Sequence, residues 1–128
     1  MITIALDDSW DMQLDASGNF VVLEGNAAIV QSVANAVKLF RGEPWFDTQS
    51  GRPWLADTLG HRPPDQVVIS HLEAAALTVP GVAAARAELL EFDQEPPAFK
   101  DGIQGAGRAL RARIYISTDT GESLHVTV

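Results

Sequence analysis

Apolar residues recur at three- and four-residue spacing through Ile29, Val30, Val33, Val37 and Phe40, with Gln31, Ser32, Asn35 and Lys38 between them. That period predicts an amphipathic helix from Ala27 to Arg41, with Gly25-Asn26 as break and N-cap, Gly42 as C-terminal cap and Pro44 barring continuation. A second stripe, Val68, Leu72, Ala75, Ala76 and Val79, predicts a helix capped by Asp65 and ended by Pro80-Gly81. Elsewhere the period is two. Met12 and Leu14, the turn Asp15 to Asn19, and Phe20 to Leu23 read as an N-terminal hairpin. Ala83, Ala85, Ala87 and Leu89 share one strand face, but Leu90 and Phe92 take the other parity, which predicts a β-bulge near Leu89. Leu110, Ala112, Ile114 and Ile116 form the clearest strand. After the turn Asp119-Thr120-Gly121, Leu124, Val126 and Val128 continue the alternation to the last residue. Loops are expected at Glu95 to Pro97 and Asp101 to Gly107, and a short helical turn at Pro53 to Leu59. Strands, helix, helix, strands is the order of an α+β fold: a small mixed or antiparallel sheet with two main helices and an N-terminal hairpin, one domain over residues 1–128.

Charge and composition narrow the function classes. Nine basic against 17 acidic residues give a net charge of -8, which opposes a phosphate backbone, so nucleic acid is not an expected partner. Arg108, Arg111 and Arg113, the one local basic cluster, read as a solvated strand face. No run reaches the ~20 apolar residues of a membrane helix, and the start of the chain lacks a secretory pattern, so no membrane is expected either. With no cysteine, disulfides and thiolate metal sites are excluded, which fits a reducing cytoplasm.

Catalytic chemistry finds little footing. Glu43 and Asp47, flanking Pro44-Trp45-Phe46, are the only carboxylate pair near aromatics that glycoside cleavage could use, and carboxylates in a turn ordinarily accept structural hydrogen bonds. His61, His71 and His125 lie on a loop, a helix and a strand without metal-ligand spacing. The glycines of Gly102 to Gly107 precede a strand and lack the Lys-Ser/Thr of a phosphate loop. Ser50-Gly51 has no nucleophile-elbow pattern. No enzyme and no cofactor are expected.

The segment Arg41 to Trp54 is the most informative. Between Gly42 and Pro64 stand four prolines, three glycines and two tryptophans, which exclude a long regular element. Arg41, Trp45, Phe46, Arg52 and Trp54 are residue types enriched in interface anchors, and the same aromatics equally suit capping the chain's own core; composition leaves both open.

The succession Asp11-Met12-Gln13-Leu14-Asp15, Gly18-Asn19-Phe20, Gly25, Gln31, Phe40-Arg41-Gly42-Glu43-Pro44-Trp45-Phe46-Asp47 and Gly51-Arg52-Pro53-Trp54, with Ala76 to Val82 later, resembles the small baseplate wedge proteins, or sheath initiators, of contractile-tailed bacteriophages. Relatives occur in type VI secretion baseplates, and some carry a lysozyme-like label. The resemblance covers most of the chain. It implies a structural subunit of the virion tail baseplate, made and assembled in the bacterial host cytoplasm, in an inner ring around the tube. Its partners would be larger wedge proteins, bundled by the helix Ala27 to Arg41, the tail sheath protein, and tube or hub proteins. The turn contacts would fall on Arg41, Glu43, Pro44, Trp45, Phe46, Arg52 and Trp54. The family often carries Glu-Pro-Arg at this turn, and here Trp45 stands in place of the arginine. The C-terminal strand, with Leu124, Val126 and Val128, would receive a sheath strand if it leaves an unpaired edge. A peptidoglycan-cleaving enzyme with Glu43 as acid is the alternative.

Overall fold

The computed structural model describes residues 1–54, 64–92, 99–100, 103–104 and 110–128. In chain order the elements are β1 (Ile2–Ile4), β2 (Val22–Glu24), α1 (Gly25–Lys38), α2 (Asp65–Leu77), β3 (Val82–Phe92), β4 (Phe99–Lys100), β5 (Ile103–Gln104), β6 (Leu110–Thr118) and β7 (Ser123–Thr127). The α+β class holds: antiparallel sheets β1-β2, β4-β5 and β3-β6-β7, with two helices on the last. Each strand of that sheet sends alternate residues into one core. Ala112, Ile114 and Ile116 of β6, Ala87 of β3 and Val126 of β7 meet Val33, Ala34 and Val37 of α1 and Val68, Leu72, Ala75 and Ala76 of α2. The period-two and period-3.6 stripes therefore point at each other, as burial requires. The change of parity in β3 is met by a register shift between Leu89 and Glu91, although Leu90 stays exposed, and a second irregularity lies between Val82 and Ala84.

The element ends differ from the sequence reading. α1 covers Gly25–Lys38 instead of Ala27 to Arg41. Gly25, at φ +60°, bends β2 directly into the helix, so Glu24 is the N-cap and the Asn26 amide is free to reach Glu122. At the other end Leu39 is already extended, and Gly42 serves a turn three residues further on. α2 is capped by the extended Pro64, with Asp65 its first residue, where a carboxylate suits the positive end of the helix dipole. It stops at Leu77, before Pro80-Gly81, because the Thr78 N–H and hydroxyl both turn back to Ala75 O. In the expected loop from Asp101 to Gly107, Ile103 and Gln104 pair with Phe99 and Lys100. The helical turn at Pro53 to Leu59 and the loop at Glu95 to Pro97 lie outside the described residues beyond Trp54, as does Arg108.

The first 24 residues form an arm across α1. The turn Asp15 to Asn19 is present, with Asp15 Oδ1 accepting from the Ser17 and Asn19 amides at 2.8 and 2.9 Å. Leu14 bridges Phe20, but β2 pairs in register with β1, Ile2 opposite Glu24, which the sequence period does not disclose. Gln31 of α1 fastens the arm: its Oε1 accepts from Leu6 N at 2.9 Å and its Nε2 donates to Ile4 O at 2.7 Å.

Candidate docking surfaces

The segment after α1 is a closed loop. Phe40 and Arg52 form a parallel bridge at its base, with Arg41 N donating to Arg52 O at 2.9 Å and Arg52 N to Leu39 O at 3.0 Å. Glu43 N donates to Phe40 O at 3.1 Å, and Gly42, at φ +88°, supplies the positive φ that the third position of a type II turn requires. That is the work of Gly42, in place of capping the helix. Glu43 Oε2 closes the same turn by accepting from Phe40 N at 3.1 Å. Gly51 is held tighter still: φ is +97°, and a Cβ there would stand 2.6 Å from the Phe40 carbonyl carbon. Asp47 Oδ1 accepts from Gln49 N at 3.1 Å and its other oxygen takes the Ser50 hydroxyl; that hydroxyl first, then the Gln49 amide, hold the carboxyl below its ordinary 3.8.

The aromatics of this loop divide. Trp54 is 5% exposed, its ring 5.8 Å from His71, and its Nε1 donates at 2.7 Å to Val37 O, one of the carbonyls the end of α1 leaves without a helical partner. It belongs to the core. Trp45 and Phe46 are 89% and 76% exposed and stack edge to face, 5.8 Å between centroids, above a buried Pro44. Two large aromatics held out on a cross-braced turn contribute little to the fold's own burial. Arg41 is exposed and Arg52 half-buried.

The two edges of the main sheet are treated differently. On β3, the outward N–H of Ala87 is taken by Glu73 Oε1 of α2 at 3.0 Å. On β7 the partner side is fixed by the reciprocal pair Val128 and Ala112, at 2.9 and 3.0 Å, and by the register Ile114 to Val126 and Ile116 to Leu124. Antiparallel ladders alternate, so the N–H and C=O groups of Ser123, His125 and Thr127 point away from β6. Among the described residues no strand lies beyond β7. Leu124, Val126 and Val128 bond to β6 and face the core, so they form the floor behind this edge, while the free ladder belongs to their neighbours.

A third surface was not singled out from the sequence. Ile2, Ile4, Met12, Leu14, Phe20 and Val22 of the arm are exposed, and Trp10 sits at φ +65° with Lys38 Nζ 3.5 Å above its ring. An excess of apolar residues in a segment with no helical stripe was the available signal. Between the arm, α1 and β7 lies a cleft of about 490 Å³.

Glu43 and Asp47 each close a turn, and Asp47 lines a cleft of about 470 Å³ with Ser50, Arg52 and Thr78 that Glu43 does not reach. His125 is exposed on β7, and His61 lies outside the described residues. Among the described residues no cluster of three or more His, Asp or Glu stands together to hold a metal. No described helix is long and apolar enough to cross a membrane. Neither the protein-family models nor the curated proteins compared with the chain match it.

Proposed function

We propose that the chain is a structural, non-catalytic component of a contractile-tail baseplate, joining larger wedge subunits around the tube and starting sheath assembly by accepting a sheath strand on β7. The observation that carries this reading is the β7 edge, whose ladder groups at His125 and Thr127 have no partner among the described residues, whereas on β3 Glu73 takes the outward N–H of Ala87. Such an edge is a template for strand addition. The wedge contact falls on the Trp45 and Phe46 tip. α1 spends its apolar stripe on Val33, Ala34 and Val37 inside the core and turns Asn35 and Lys38 outward, which suits it poorly to bundling. The tube or hub would lie nearby, in a phage, a defective prophage or a tailocin alike.

Co-assembly of the purified chain with wedge and sheath subunits of its own tail tests this. Trp45→Ala with Phe46→Ala should lose the wedge complex, and Thr127→Pro, which deletes an outward N–H, should lose sheath nucleation, both variants remaining folded. Glu43→Gln should retain both activities, because an amide oxygen accepts from Phe40 N as a carboxylate does. Peptidoglycan turnover by the wild-type protein that disappears in Glu43→Gln would overturn the reading in favour of hydrolysis.

A further inference from the structure

The cleft of about 490 Å³ begins where the β7 ladder ends. Its lining includes Leu6 and Trp10 of the arm, Val30 and Ala34 of α1, and Leu124 and Val126 of β7. A strand added to β7 would lie about 4.8 Å beyond it, with every second side chain turned toward the helices. Those side chains fall into this cleft. The sheet and the helix layer are therefore complete up to β7, and the next strand's inner face is prepared without being filled. Trp10 makes the outer wall. Its positive φ is uncommon for a bulky residue. It is fixed from one side by Lys38 and from the other by the turn in which Trp10 N donates to Asp7 O. Asp7, exposed and with its Oδ1 accepting the Ser9 and Asp11 amides, also lines the cleft, on a chain of net charge -8.

Resting on the strand-addition reading, we infer that the cleft is a side-chain subsite for the incoming strand. It accepts an extended partner segment with apolar residues at alternate positions and a basic residue at the end nearest Asp7. The ladder supplies pairing for any extended chain; the wall of Trp10, Val30 and Leu124 selects which chain.

The probe is a synthetic seven-residue peptide alternating valine and threonine between terminal lysines, titrated into the full chain and followed by amide and indole NMR shifts. The expected result is that it shifts the His125 and Thr127 amides together with the Trp10 indole N–H. Replacing its valines by serine should weaken binding at least about tenfold, since the apolar burial is lost. Val30→Lys should weaken it to the same degree, and Trp10→Ala, outside the core, carries the same test if Val30→Lys fails to fold. Serine and valine peptides binding alike, both abolished by Thr127→Pro, would sink the subsite and leave strand addition standing. Valine-peptide binding untouched by Thr127→Pro overturns both. Absence of peptide binding, or a concentration-dependent dimer of the chain that occupies β7 and the cleft, overturns the subsite.

Discussion

Gly51 is the residue on which the exposed loop depends. A side chain there meets the Phe40 carbonyl carbon at 2.6 Å and must also adopt φ +97°. Both penalties fall on backbone, which cannot swing aside as a side chain would. Gly51→Ala should therefore cost at least about 1–3 kcal/mol, measurable by chemical denaturation, and release the Phe40 to Arg52 bridge. Asp47 braces the same loop through a titratable group. Its folded pKa is lowered by the Ser50 hydroxyl and the Gln49 amide, so its contribution is complete above the ordinary 3.8 and is lost as pH falls through the lower folded value. The Gln49 and Ser50 amide resonances should shift with a midpoint below 3.8, and Asp47→Asn should abolish that titration.

At the scale of elements, burial and end-capping follow different logics. β6, β7 and the stripes of α1 and α2 were legible because a single buried face forces one period on the residues. Their ends were not. α1 stops at Lys38, where Trp54 takes up the Val37 carbonyl from 17 residues away, and no local signal announces a partner so distant. Gly42 resembles a helix cap because turns and caps ask for the same left-handed conformation. The division of the aromatics was equally hidden, since Trp45 and Trp54 differ only in what surrounds them after folding. The sheet edges yield a prediction of their own. Glu73→Ala should leave the Ala87 N–H without its carboxylate, costing about 1–3 kcal/mol and raising self-association in light scattering, because that outward N–H becomes available for pairing.

For the whole molecule, β7 is both an edge and a piece of the core. Val126 is buried against Ile114 and the α1 side chains, and Leu124 and Val128 pack beside it. Deleting residues 124–128 should therefore do more than remove a docking edge: it opens the core over Val33 and Ala34, and a loss of cooperative thermal unfolding is expected. A sequence reading that treats edge and interior as exclusive misses this, because alternation along β7 gives one face to the core and says nothing of which side lacks a neighbour. Thr127→Pro is the cleaner probe, since Thr127 is exposed and its N–H points outward.

Gln31 gives the arm a further property. Its side-chain amide presents one acceptor and one donor to Leu6 and Ile4, the complement a neighbouring strand's peptide group would offer. The arm is thus registered on α1 by a counterfeit peptide bond belonging to a single side chain. The same arm meets α1 at two further points, where the Ser32 hydroxyl donates to Met1 Sδ at 3.2 Å and Lys38 Nζ stands over the Trp10 ring. Solvent exchange of the Leu6 amide would report how often the Gln31 contact opens, independently of the other two.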